Sequence, residues 1–187
     1  MRDAMPYLRG EVSGKIVAIT LDDGYRDNVE QALPILKDLG FSATCYVVSG
    51  RVGTQNTWDD EAATVHQPLM DWGQVSEWIT EGMEIGAHTR THARLKLCGR
   101  PQIDEEIRGS KEDLEAALGV AITQFAYPYG SWDERVAQAT AIAGFEAAVT
   151  TDRGRAPVGS SLFALPRLNM KGGRAWRNLL STCVKWP

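Results

Sequence analysis

Cysteine, histidine and long apolar runs are all scarce in this chain of 187 residues, and each scarcity excludes a class of protein. The three cysteines, Cys45, Cys98 and Cys183, are odd in number and share no Cys-x-x-Cys spacing, so they outline neither a disulfide framework nor a zinc ribbon. A reducing compartment suits them. No segment approaches the ~20 consecutive apolar residues of a membrane-spanning helix, and residues 1–6 hold no apolar core of a secretory signal. The expectation is a soluble cytoplasmic protein with no membrane partner. Basic residues are not in excess either: 20 Lys and Arg against 24 Asp and Glu leave a formal charge of −4, with both signs interspersed. Without a basic stripe to neutralise phosphates, nucleic acid is excluded as the natural partner, whereas a neutral or cationic substrate fits. Repeats and low-complexity tracts are absent, and the length suits one domain, residues 1–187, able to bury a sizeable core.

What is present is organised around Thr20-Leu21-Asp22-Asp23-Gly24-Tyr25. The apolar, β-favouring residues 15–21 read as a buried parallel strand that ends on two carboxylates and a glycine. In α/β proteins the C-terminal ends of strands face the ligand crevice, because the loops leaving them carry chemistry while the strands hold them rigid. An isolated Asp-Asp-Gly is as readily explained by an aspartate capping the next helix. A second motif alters the balance. Two of the three histidines fall within Gly86-Ala87-His88-Thr89-Arg90-Thr91-His92, directly after an apolar segment, residues 83–85. Imidazoles four residues apart can both face one ion from a helical turn or a tight loop, and a carboxylate would complete three protein ligands with an open position for water. A lone His-x-x-x-His is commonly an ordinary surface pair. With an aspartate pair at another strand end, a catalytic metal site is the better reading.

Periodicity around these motifs gives alternating strands and helices. Val29, Leu33, Leu36 and Leu39 recur on one helical face, with Pro34 starting or bending the helix and Gly40 ending it; residues 41–48 follow as a second buried strand. Residues 49–70 lack any period and form either a solvated excursion or a functional lid. Residues 71–82 read as a helix with Val75, Trp78 and Ile79 inward, and residues 101–118 as a longer one (Ile103, Ile107, Leu114, Leu118) closed by Gly119. In the latter, Asp104, Glu105, Glu106, Lys111, Glu112, Asp113 and Glu115 read as the solvated face and carry no functional weight. Residues 123–127 are a fourth strand, and Ser131-Trp132-Asp133-Glu134 is a capping-box pattern opening a helix that Gly144 stops. A fifth strand (145–150), a loop (151–161), a sixth strand interrupted by Pro166 (162–170) and a last helix (174–184) complete the chain. Six strands alternating with helices predict an α/β domain with a mostly parallel sheet, open or closed.

Thr20-Leu21-Asp22-Asp23-Gly24 resembles the Thr-Phe-Asp-Asp-Gly motif of the polysaccharide deacetylases, metal-dependent carbohydrate esterases related to chitin-oligosaccharide and peptidoglycan deacetylases. His88-Thr89-Arg90-Thr91-His92 resembles their His-Ser/Thr-x-x-His motif, in matching order and separation, and Phe125-Ala126-Tyr127-Pro128-Tyr129-Gly130 resembles a segment of one branch of the family. By itself, that third stretch would read as an aromatic core strand with a proline stop. The resemblance implies a distorted, incomplete (β/α) barrel of about six to seven strands. It further implies that Asp23, His88 and His92 hold a divalent ion, with zinc expected, and that Asp22 is the general base. Tyr129 would supply its backbone N–H to the oxyanion and, beside Pro128, its ring to a sugar pocket. Trp58 lies where related sequences often carry Asn-x-Trp-Asp, and would stack on a sugar ring.

Two departures from the family pattern stand out. Ala126 occupies the place where many members have an arginine that orients the catalytic aspartate; Arg167 either takes that role or is a rim charge. No histidine follows His92, although the family usually has a late one as general acid. That leaves His66, in a polar loop before Pro68, or Asp22 acting first as base and then as acid. The expected activity is hydrolytic removal of an N-acetyl group from an amino sugar, in an oligo- or polysaccharide or a smaller glycoconjugate. Its rivals are a C–N hydrolase acting on a non-sugar amide and a carbohydrate-binding protein that keeps the fold without turnover.

Overall fold

The computed structural model describes residues 1–58 and 66–170. Six strands, β1 (Ile19–Leu21), β2 (Ala43–Val47), β3 (Glu84–Ala87), β4 (Gln124–Ala126), β5 (Ala147–Arg153) and β6 (Leu165–Arg167), form one sheet in sequential order with every neighbouring pair parallel. Five α-helices accompany them among the described residues: α1 (Met5–Leu8), α2 (Leu33–Asp38), α3 (Trp72–Thr80), α4 (Arg100–Leu118) and α5 (Glu134–Ile142). The sheet curls into a half-barrel, so the architecture is an incomplete α/β barrel. Among the described residues, no helix is long and apolar enough to cross a membrane.

Alternation along the strands builds two cores. On one face Cys45, Val47, Ile85, Phe125 and Ala148 meet the helices, where Val29, Leu36, Val75, Trp78, Ile107, Leu114 and Val136 are buried against them. Trp78 is fully buried and its indole N–H donates to the Glu84 carbonyl at 2.9 Å; truncating an aromatic of this kind costs about 3–5 kcal/mol. On the other face Tyr46, Ala126, Ala147, Val149 and Leu165 form a smaller cluster closed by Met5 of α1. Small residues are needed there: a Cβ at Gly86 would lie 2.5 Å from the Tyr46 ring.

Several elements differ from their sequence expectation for identifiable reasons. β1 is three residues, half-buried, and Val17 before it is 60% exposed, because the ladder starts only where Ile19 meets Ala43, the first residue of β2. Pro34 has no N–H to give the Glu30 carbonyl, and the chain opens into a π-type turn, Asn28–Ala32, before α2. Leu39, expected inward, is 60% exposed as the C-cap of that helix. The cap of α5 is Asp133, whose carboxylate accepts from the Val136 N–H at 3.0 Å; Ser131 instead accepts from the Lys96 N–H. β5 runs on to Arg153, into the expected loop, and Pro166 sits within the edge strand β6, where proline is tolerated. The helix expected at 174–184 lies outside the described residues, as does the middle of the 49–70 segment.

Candidate active site and metal centre

Strand register delivers the singled-out residues to one end of the half-barrel. Leu21 pairs with Cys45, Val47 with Ala87 and Ala87 with Phe125, so the residues that follow β1, β3 and β4 emerge side by side. Four non-glycine residues adopt positive φ among those described: Asp23 (74°), Thr89 (65°), His92 (63°) and Tyr129 (57°). All four lie in the turns leaving these strands. Conformations of this kind cost on the order of 1–3 kcal/mol each and persist where surrounding contacts over-determine them. Strain is therefore gathered at this end.

Asp23 Oδ1 lies 3.3 Å from His88 Nε2 and 3.2 Å from His92 Nε2, and both imidazoles are buried. The three ligand atoms lie within 4.8 Å of one another, the one such cluster among the described residues. His88 Nδ1 is 2.7 Å from the Ala126 carbonyl oxygen. Only an N–H can serve that acceptor, so the neutral ring carries its proton on Nδ1 and presents a bare Nε2 to Asp23. Two lone pairs at this separation repel unless a cation, proton or metal, lies between them. Ligand atoms about 2.0–2.1 Å from a tetrahedral ion are roughly 3.3 Å apart, so the spacing fits a metal. Burial alone would raise the Asp23 pKa, but its contacts with His88 and His92 outweigh this and hold it far below the usual carboxylate range. Burial would lower the His88 pKa; Asp23 and Asp22 reverse that and raise it.

Asp22 points elsewhere. Arg167 Nη1 and Nη2 donate to its two oxygens at 2.7 Å each, while Arg167 Nε donates to the Thr150 carbonyl at 2.9 Å and Nη1 also reaches Thr20 Oγ1 at 3.2 Å. Arg167 is thus a locked, largely buried partner of Asp22 rather than a rim charge. Burial would raise the Asp22 pKa, and the Arg167 hydrogen bonds lower it below the ordinary value. The placement depends on an irregularity: between Val149–Leu165 and Arg153–Arg167, β5 advances four residues while β6 advances two. A bulge of this kind re-aims side chains and leaves no clear sequence signal.

At the rim, the His92 ring is flanked by Trp58 and Tyr129, each with ring centroids 4.5 Å away, and the Arg94 guanidinium lies 3.7 Å from the Tyr129 centroid. Trp58 therefore packs on a candidate ligand, and its buried indole N–H has no acceptor among the described residues. Pro128, expected at the substrate face, is buried and starts the turn Pro128–Gly130 that presents Tyr129. His66 is exposed, with Nδ1 3.0 Å from the Asn56 carbonyl oxygen.

The solvated-face reading of α4 fails at two positions beside the histidine loop. Glu106 is 5% exposed, and its carboxylate accepts from the Arg90 and Thr91 N–H groups and the Thr91 hydroxyl, inside the histidine loop. Asp113 accepts from Arg90 Nε and Nη2 and from Ser49 Oγ. Spacing held a signal for the first: Ile103, Glu106, Ile107, Ser110 and Leu114 follow one helical stripe, and all are buried.

Residues 9–148 match the model of the polysaccharide deacetylase family. Among individual relatives, the chain is 30% identical over 161 residues to YxkH of Bacillus subtilis (strain 168), whose name describes it as a candidate polysaccharide deacetylase, covering 86% of this chain and 53% of that protein. It is 27% identical over 141 residues to the chitooligosaccharide deacetylase of Bradyrhizobium sp. (strain ANU 289), covering 74% and 57%. The chain thus spans a little over half the length of these relatives. The Streptococcus pyogenes deacetylase PplD, solved in complex with acetate, superposes with a TM-score of 0.80 at 28% identity, over 96% of this chain and 76% of that one. IcaB from Ammonifex degensii shares the fold, with a TM-score of 0.82 at 23% identity over 96% and 78%. The family match covers well over half of the sequence and runs through the strand ends that carry the aspartates and histidines, so this chain belongs to the polysaccharide deacetylase family.

Proposed function

We propose that the protein hydrolyses the N-acetyl group of an amino sugar, in an oligo- or polysaccharide or a smaller glycoconjugate, with a zinc ion held by Asp23, His88 and His92. The observation that carries this is a carboxylate and two buried imidazoles at the spacing of one tetrahedral ion. When bound, such an ion lowers the pKa of a water and polarises the scissile carbonyl. Asp22, kept ionised by Arg167, takes a proton from the attacking water as its oxygen bonds to the carbonyl carbon. The Tyr129 backbone N–H faces the oxyanion. Asp22 then returns the proton to the nitrogen as the C–N bond breaks, releasing acetate and a free amine. Trp58 and Tyr129, on either side of His92, form the wall against which the sugar lies. A chitooligosaccharide deacetylase among the relatives, and the acetate held by PplD, support this reading.

Acetate release from a panel of N-acetylated chitooligosaccharides and non-sugar acetamides, with zinc or with chelator, tests it. Zinc-dependent acetate from a sugar, matched by new amine and lost in Asp22→Asn, is expected. Acetate from non-sugar amides alone would move the assignment to another C–N hydrolase, and none from either would contradict catalysis.

A further inference from the structure

We infer that α4 positions the histidine loop and that the buried carboxylate of Glu106 is the residue through which it does so; this rests on the proposed metal-dependent reading. The loop from His88 to His92 carries both histidines and holds two of its residues, Thr89 and His92, at positive φ. Such a turn has no strand partner for its central amides. Both point at one atom, Glu106 Oε2, at 2.9 Å each, and the Thr91 hydroxyl donates to Oε1 at 2.5 Å. A carboxylate accepting three donors is a charge-assisted anchor, stronger than neutral hydrogen bonds. From the opposite side, the Thr89 and Arg90 carbonyls accept from the Ser49 and Gly50 N–H groups at 3.1 and 3.0 Å.

The Arg90 side chain closes the arrangement. It lies across Gly109 to reach Asp113, with Nε and Nη2 donating at 2.8 and 2.7 Å, and Asp113 also takes the Ser49 hydroxyl at 2.8 Å. A Cβ at Gly109 would stand 2.4 Å from Arg90 Cζ. Glu106, Gly109 and Asp113, spaced three and four residues apart on one helix face, therefore grip the loop by its backbone and by its one arginine. None of the three is among the candidate metal ligands. They act through His88 and His92, as partners that orient ligands.

Three substitutions test this in the full chain, by zinc affinity in chelator competition and by hydrogen exchange of the Arg90 and Thr91 amides without metal. Glu106→Ala is expected to weaken zinc roughly 10- to 100-fold, as loss of a ligand-orienting partner does, and to speed exchange at both amides at least about tenfold. Glu106→Gln keeps an acceptor for both amides and should recover affinity to within about threefold. Gly109→Ala favours the helix but pushes the guanidinium off Asp113; unchanged or higher Tm with zinc weakened about three- to tenfold is expected. Should Glu106→Ala not fold, Gly109→Ala decides. Zinc bound by the wild type and equally tightly by the folded variants would overturn the positioning role alone. A wild type that binds no zinc would overturn the proposed function and this inference with it.

Discussion

Asp22 and Asp23 are adjacent, and both are held ionised, but by different neighbours. Asp23 turns out of the strand at a positive φ and meets two imidazoles, whereas Asp22 meets the fork of Arg167. This division sets a sign for the pH dependence. With its pKa lowered, Asp22 stays a carboxylate above the ordinary range, and the stability of its pair with Arg167 is present above about pH 3.9 and lost as pH falls through the folded pKa. Arg167→Gln removes the hydrogen bonds and charge that lower it most, leaving His88 alone against burial and Asp23, which raise the pKa. The acid limb of the kcat/KM profile should then move to higher pH, and kcat/KM near neutrality should fall roughly 10- to 100-fold. An unmoved limb would leave Arg167 a shaping residue only.

Among the elements, those built on a strong period were legible in the sequence. α3, α4 and the strands that end before His88 and Tyr127 were readable because their apolar spacing is also their burial pattern; the strand before Asp22 was placed but is shorter and only half-buried. The β5 bulge was not legible, since it serves the remote contact of Arg167 with Asp22; Pro34 marks where α2 starts or bends, but not the π-type turn at Asn28–Ala32 that results. The bulge is why Arg167 remained ambiguous between rim and site. Glu106 differs for another reason: its charge suggests the solvated face, whereas its spacing matches the buried stripe. The 49–70 segment gives two predictions. Stacking on a sugar alone would make Trp58→Ala a KM variant, but the ring also packs on His92. Trp58→Ala should therefore lower kcat about tenfold as well as raise KM, with Trp58→Phe restoring kcat; steady-state kinetics that show a KM effect alone would return Trp58 to a remote platform. His66→Gln should cost less than about tenfold in kcat, against the roughly 10²- to 10⁴-fold of a lost general acid. A hundredfold loss, with the alkaline limb of the pH–rate profile gone, would make His66 the acid.

At the scale of the molecule, the half-barrel separates tasks between its two ends. The N-terminal ends of β2 and β3 are tied by the Thr44 hydroxyl donating to the Glu84 carboxylate at 2.5 Å, while the C-terminal ends carry the strained turns and the ionisable groups. Rigidity at one end permits strain at the other. Because a ligand that binds only the folded state stabilises it, zinc at 100 times its Kd should add about 2.7 kcal/mol to wild-type stability. The most direct measurement is zinc bound per chain after equilibrium dialysis, for the wild type, Asp22→Asn and Asp23→Ala. The account predicts one tightly held zinc in the wild type and in an inactive Asp22→Asn, and none in Asp23→Ala; zinc retained by Asp23→Ala, or lost from Asp22→Asn, would contradict it.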